Sequence, residues 1–598
     1  MKLFTKRILV LGIYTALLGS TVNAATYEVI DKGAVETHKY TFAQQENNSG
    51  EMVISGTQAY NFAVQYQFLN EGDFNVIVNN AANFNDRIFG VNDIEDESAL
   101  RAGNPTENDA FWVVQYLKQI PAARKFLYQQ YGDIAALLNL NGNTEEIPIF
   151  DVMFEGTTQF TRSTVDNING ITDKGWLYGS GSAPYLPVQL TADQNNTDPT
   201  DDVTINYWVR EFNTRGFFSI DRGQTITPVV APESTYGGIS EVFDINENGL
   251  AVGFASTGIA KRVTTFLENA STVCTDEKQL AQTPLIVCID TVLRDNRLSL
   301  NNLYSTQAIK WTINNSGMVE NTETLGYLVK PHVDDPRDFR SVAQAVNASG
   351  TIVGYSDGWF YNNVTEPKST ERKLTYAVMF KDGNIYDLNT DHEKYFNSRV
   401  NDINDAGIAT GYVQSVIGGA TQNVFYYIDT NDVNNLEMVM PNSFFTGSST
   451  TAKAINNKGF IVGQGEVETH VTTGGNPRRT HGFLYDTNTD TFTDLNDFLT
   501  CDSIYTIIDA KSINDNNEIS ASALVKTDAQ DFFGEKVLNS NGDPIQEEVV
   551  RAVKLNPING EINDCSEVEK KVERQGASIG LFMPLVLLLV GFRRKLFN

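Results

Sequence analysis

"AINNKGFIVG", Ala454 to Gly463, is written again with small changes as "DINENGLAVG" at Asp244 to Gly253, "AVNASGTIVG" at Ala345 to Gly354 and "DINDAGIATG" at Asp402 to Gly411. Each copy keeps an apolar residue, Asn, two residues, Gly, three residues, Gly. The phrase reads as strand, turn and strand. Ile455 closes one strand, and the Asn456 side chain can bond the backbone two residues on. Gly459 supplies a positive φ that a residue with a Cβ adopts only at a cost. Asn246 and Gly249, Asn347 and Gly350, and Asn404 and Gly407 hold the same places. "ITDKGWLYG" puts Thr172 and Gly175 in the pattern, and "SINDNNEISA" keeps Asn514 but has Asn517 for the glycine. Asn is the best substitute for Gly at positive φ. A worn copy, "QQENNSGEMVIS", runs from Gln44 to Ser55.

A second phrase follows each first one. "YAVMFKDGNIYDL" at Tyr376 to Leu388 alternates apolar and polar residues, turns at Asp382-Gly383 and alternates again. "QAIKWTINNSGMVE" from Gln307, "HGFLYDTNTDTFTDL" from His481 and "RAVKLNPINGEIND" from Arg551 are related. Two hairpins make a four-stranded sheet. The unit measures about 52 to 58 residues between Asn347, Asn404, Asn456 and Asn514, near the length of propeller blades. Seven turn phrases predict an all-β fold, a β-propeller of about seven four-stranded blades over residues 25–564, with an open β-solenoid as the alternative. The opening strand "TYEVIDKG" from Thr26 is placed to complete the last blade.

The early blades carry insertions, where a propeller keeps its specificity. Helical spacing in "AFWVVQYLKQI" and "PAARKFLYQQYGDIAALLNL" predicts a helical pair at about 107–140. A polar loop starts at Thr191, and the segment from Ala260 to Leu300 holds the first two cysteines.

The paired phrases resemble the HAF repeats of secreted bacterial proteins, and the whole chain is similar to a gammaproteobacterial family built from them, a domain of unknown function. The triplet stands as "HGF" at His481 and "YAV" at Tyr376. The resemblance implies an extracytoplasmic β-rich repeat protein and brings no catalytic residue with it.

Both ends read as addresses. Lys2, Lys6 and Arg7 precede an apolar run from Ile8 to Leu18, and "VNA" ending at Ala24 offers small residues to a signal peptidase. Residues 1–24 are therefore expected to be a signal peptide. An uncleaved anchor is the alternative, although the run falls short of the ~17–25 residues that span a bilayer. After a linker at 565–575, residues 576–598 place small residues before an apolar run and then Arg593, Arg594 and Lys595. The order resembles GlyGly carboxy-terminal sorting segments cut by rhomboid-type rhombosortases. Ala577 stands where a second glycine would follow Gly576. The resemblance implies transit through the inner membrane and processing there, and a plain single-pass anchor is the alternative. Four cysteines in an exported chain suggest two bridges, and pairing by nearest neighbour gives Cys274 with Cys288 and Cys501 with Cys565.

Seventy-four acidic against 45 basic residues leave a formal charge of -29, which argues against a nucleic-acid partner, since phosphate binding needs clustered Lys and Arg. No G-x-S-x-G elbow, phosphate-cradling glycine loop or helix-borne zinc pair appears among the sequence motifs. "DTNTDTFTDLND" puts Asp486, Asn488, Asp490, Asp494 and Asp497 in the order of an EF-hand calcium loop. Thr491 stands where that loop needs Gly, and the competing reading is a hairpin turn of the repeat. No other cofactor is expected. Two function classes follow: a non-enzymatic exported scaffold for an unknown extracellular ligand, or an extracellular hydrolase of polymers using carboxylates in the propeller axis.

Overall fold

The computed structural model describes residues 25–560 apart from 61, 89, 193–202, 362–363, 365–367, 471–476 and 532–533. The propeller occupies the compact unit Tyr27–Asn496 and Ile504–Pro557, and the segment Asp497–Ser503, which carries Cys501, belongs to a second unit.

Seven antiparallel sheets stand as blades around one axis. Their inner strands are His38–Glu46, Asp166–Ile171, Ser240–Ile245, Ser341–Val346, Asn397–Ile403, Thr450–Ile455 and Tyr505–Ile513. Each inner strand packs on the next, and the seventh packs on the first, so the ring is closed. Blade four shows the plan: Ser341–Val346, Ile352–Trp359, Lys373–Lys381 and Asn384–Asp387 lie in that order. The first phrase of each repeat is thus the inner hairpin and the second phrase the outer one. Blade five has three strands, its fourth place reduced to a bridge between Tyr427 and Val439. The core lies between blades as wedges of apolar side chains, for example Trp176, Phe218, Val242 and Trp311 between blades two and three.

The turn asparagine links the blades. Asn456 Oδ1 accepts the main-chain N–H of Lys458 and Phe460, which closes the local turn, and its amide donates to the Asn514 carbonyl of the next blade at 3.0 Å. Asn246 donates likewise to Asn347, Asn347 to Asn404, Asn404 to Asn456, Asn514 to Asn47 and Asn47 to Thr172. The one link missing runs from Thr172 to Asn246. Thr172 Oγ1 accepts from Lys174 and Trp176 as an Asn would, but a hydroxyl has no second arm to reach the neighbouring blade. The next residue forms a parallel chain. The N–H of Asn457 donates to Asp515, that of Asp515 to Asn48, that of Asn48 to Asp173 and that of Asp173 to Glu247. The acidic letter after the asparagine is therefore an acceptor for the preceding blade.

The second phrase is explained at the other end of the inner strands. The main-chain N–H groups of Gly216, Ala308 and Ala377 donate at 2.9 Å to the hydroxyls of Ser240, Ser341 and Ser398 in the next blade. These donors occupy the middle letter of the triplet. A small residue there lets the next inner strand approach, and a Cβ on Gly216 would lie 3.2 Å from Val242.

Blade seven is stitched from both ends of the sequence. Tyr505–Ile513, Ile519–Asp528 and Gln546–Asn559 supply three strands, and Ala25–Asp31 is the outermost. The stretch from Arg551, expected to be a hairpin, continues instead as one 14-residue strand, and the opening segment takes the fourth place. Lys554 holds the junction, paired with Glu46 at 2.7 Å and Glu518 at 2.6 Å.

The insertions depart from expectation. Helices at Glu71–Phe84, Glu97–Arg101 and Glu107–Lys118 precede a short 3-10 turn at Ala122–Leu127, and Ile134–Leu140 is the third strand of blade one. Only the first half of the helical pair at 107–140 is helix. "IAALLNL" is a short continuous apolar run, which periodicity alone does not assign to helix or strand. The segment after Ala260 forms helices Lys261–Cys274, Glu277–Leu280 and Leu285–Asp295. Together with the hairpin Leu186–Ala192 and Val203–Val209, the insertions of blades one to three share a core through Phe126, Trp208 and Val287. A Lys125–Asp290 ion pair at 3.2 Å joins the first to the third. All three leave between the second and third strands, at the end of the ring opposite the asparagine turns.

Candidate axial site

Each inner strand carries a β-bulge at one place, three residues before the turn residue. The ladder skips Gln44, Asn169, Phe243, Gln344, Asn401, Lys453 and Lys511. A bulge puts two residues of one strand against one of its partner and re-aims a side chain. All seven skipped residues line a single axial chamber of about 380 Å³. The bulge also accounts for the second glycine of the ten-letter phrase. A Cβ on Gly463 would lie 2.1 Å from the Thr451 carbonyl oxygen, and one on Gly253 1.9 Å from that of Glu241. The repeat thus conserves room for a bulge while the bulged residue itself differs from blade to blade.

The layer next to the turns completes the wall. Tyr178 donates to Gln45 at 2.8 Å and to Asp244 at 3.2 Å. Asp244 accepts the Val346 N–H and Asp402 accepts those of Ile403 and Ile455, each at 2.8 Å. Burial pushes Asp244 up to about 6 and Asp402 up to about 7, the Asp244 charge adding to the second shift. Two carboxyl groups able to exchange protons near neutrality therefore face the axis. Burial, with the nearby Lys453 charge, lowers the Lys511 amine below the ordinary lysine range. At the turn end a shallower space of about 230 Å³ is rimmed by Asn48, Asp173, Glu247, Asp405, Asn457 and Asp515. Asp173, Glu247 and Asp515 accept main-chain N–H groups as described above, and Asp405 accepts that of Ala348 at 2.8 Å.

The turn residues singled out from sequence stand where expected: Gly249, Gly350, Gly407 and Gly459 have φ of 80° to 85°, and Asn517 has φ 63°. Cys274 and Cys288 form a disulfide, and Cys501 is also disulfide-bonded, while Cys565 lies outside the described residues. The residues of the calcium-loop reading stand in a hairpin. Asp486 ends one strand and Asp494 the next, Asp490 takes a hydrogen bond from Tyr485, and Asp494 pairs with His481 at 2.6 Å. Asn488 donates to the Lys458 carbonyl. The stretch is the outer hairpin of blade six, and among the described residues no group of three acidic, His or Cys side chains is placed to hold a metal. Ala24, Gly576 and Ala577 lie outside the described residues, among which no helix is long and apolar enough to cross a membrane.

The bulged residues were not singled out from sequence. Their signal is a polar or aromatic letter between smaller or apolar ones, as in "TAKAIN" and "VAQAVN", changing in type while its neighbours repeat.

No curated protein matches the chain. Among solved structures it is similar to a puromycin hydrolase crystal structure at 10% identity and TM-score 0.32, covering 66% of this chain and 48% of that one. The chain thus spans about half the length of that protein. One sequence family covers residues 6–595, nearly the whole molecule, and the chain belongs to it: the family described as protein of unknown function (DUF3466).

Proposed function

We propose that the protein is an exported, non-enzymatic scaffold that holds a small polar ligand in its axial chamber. One observation carries the reading. The framework residues repeat around the ring, whereas the seven bulged positions that meet at the axis hold four amides, an aromatic ring and two amines. A wall varied in this way on a uniform frame has the character of a recognition site. The amino-terminal address and the Cys274–Cys288 disulfide support an oxidising, extracytoplasmic location. A Cys501–Cys565 bridge, HAF-type repeats and removal of the tail near Gly576 and Ala577 by a rhomboid-type protease belong to the same proposal. Intact-mass measurement of protein from cells tests the last, and a chain still ending at Asn598 would leave only the anchor.

A binding array of glycans and proteins, run on residues 25–575 with and without calcium, tests the main reading. Specific capture that is lost on changing Gln344 and Asn401 together to Ala supports it. Capture unaffected by both changes moves the site elsewhere. The second reading, a hydrolase, is favoured by Asp244 and Asp402 alone. It requires turnover of a captured polymer that disappears in Asp402→Asn.

A further inference from the structure

Blade seven departs from the other six at the axis. Its inner strand is bulged twice, the ladder skipping Ile508 as well as Lys511, where each other inner strand is bulged once. The residues around this double break leave polar groups unanswered. Lys453 Nζ meets Asp509 Oδ2 at 2.5 Å, while Asp509 Oδ1 and Ser512 Oγ are buried without a partner. The Lys511 amine makes no hydrogen bond or ion pair with any described residue, although it lines the chamber beside Ser512. Two ammonium groups thus share one carboxylate. The Asp509 charge reaches Lys511 without a direct contact, so the amine stands in the chamber with no described group bonded to it. Buried polar groups are nearly always hydrogen-bonded, and charged ones paired.

The same wall holds the Asp244 and Asp402 carboxyls, and its other groups narrow what the amine could bind. Gln344 presents donors and an acceptor, Gln44 and Asn401 each keep one amide N–H and an oxygen beyond their bonds to Ser55 and the Ala452 carbonyl, and Tyr178 and Tyr412 add hydroxyls. Phe243 offers an apolar face. Amides and hydroxyls around one aromatic ring suit a polyhydroxylated ring, and about 380 Å³ lies at the small end of ligand pockets. We propose that Lys511, with Ser512, anchors the carboxylate of a small sugar acid of the uronic-acid class in the axial chamber. This rests on the chamber being the binding site, as argued under the preceding heading.

Matched pairs separate the two ideas: glucuronate against glucose, galacturonate against galactose, and the corresponding disaccharides, titrated calorimetrically into the protein. The acids are expected to bind and the neutral partners to bind at least tenfold more weakly. Lys511→Met should weaken the acids at least tenfold, the loss of a charge-assisted hydrogen bond, and leave any binding of neutral sugars unchanged. Lys511→Arg should recover part of the affinity, and an unchanged melting temperature shows that each variant is folded. Equal affinity for acid and neutral partners would overturn the anchor while leaving the chamber as a binding site. Binding of acids that survives Lys511→Met would overturn it too. Binding of no member of the panel would overturn the sugar-acid assignment, with the chamber itself then judged by the wider array.

Discussion

The side-chain amide of Asn514 donates to the main-chain carbonyl of Asn47 at 3.2 Å, joining blade seven to blade one across 467 residues of sequence. It belongs to the chain of asparagine links that lacks one member, at Thr172. Thr172→Asn should supply that link and raise stability by about 0.5 to 1.5 kcal/mol, a typical net hydrogen-bond contribution. Asn456→Ala should cost about 1 to 3 kcal/mol, since it removes two turn bonds and two blade-to-blade bonds, to the Asn514 carbonyl and to Asn517 Oδ1. Calorimetric melting of both variants checks the pair, and a Thr172→Asn protein less stable than the parent would contradict the geometry.

The two glycines of the phrase should fail differently. Gly459 has φ 85°, and its place in blade seven is filled by Asn517, so Gly459→Asn meets little backbone strain and has only to displace the Thr487 hydroxyl, 2.5 Å from its Cβ. Gly459→Val should cost about 1 to 2 kcal/mol or more, whereas Lys458→Ala beside it should be nearly silent. Gly463 has no unusual φ, yet a single methyl there would strike the Thr451 carbonyl at 2.1 Å. Gly463→Ala should therefore cost more than Gly459→Asn. Denaturant midpoints in the opposite order would remove the bulge as the reason for the second glycine.

Acidity should stabilise the ring through its buried carboxyls. Asp166, Asp244 and Asp402 are pushed up from 3.8 to about 8, about 6 and about 7 by burial. The folded state keeps protons that the unfolded chain has released. The stability these groups contribute is therefore full below about pH 4 and is lost as pH rises to about 8. Asp402→Asn cannot ionise, so its melting temperature should fall less than the parent's between pH 5 and 7.5. Parallel curves would show that Asp402 is ionised throughout.

The Cys274–Cys288 bridge closes a loop across 14 positions within the helical insertion of blade three. Replacing both cysteines by serine should lower the stability of that insertion by about 3 kcal/mol. Hydrogen exchange should speed up within residues 261–303 and remain slow in the seven inner strands. Equal loss of protection across the ring would show that the insertion and the blades unfold as one.

The sequence phrases fixed on a periodic backbone were legible because turns have strict local demands. Asn246, Gly249 and their counterparts name a turn wherever they fall, and counting them gave the blades. The chamber was not legible in the same way. Lys453 and Lys511 sit in strands where alternation would face them away from Ala454 and Ser512, and only the bulge brings neighbours to one side. A bulge is a relation between two strands, visible once Ala452 is set against Gly463 and Ala454 against Val462. The helices at 71–84 were missed because their apolar residues are spaced among asparagines, and what orders them is the capping box of Asn70 and Asp73 together with packing on Trp112 and Tyr116.

The strand Ala25–Asp31 completes a blade whose neighbouring strand is Gln546–Asn559. On a growing chain it is made first and has nowhere to dock until almost all of the propeller has followed, roughly half a minute to two minutes later at ordinary rates of synthesis. Blades one to six can gather locally in the meantime, each against its predecessor, while an unpaired edge of the first segment stays open to wrong partners. Closure is then a single late event of very high contact order. A lesion near Lys554 or Glu46 should consequently slow folding out of proportion to the equilibrium stability it removes, and the first strand of the ring to be made is the last to find its place.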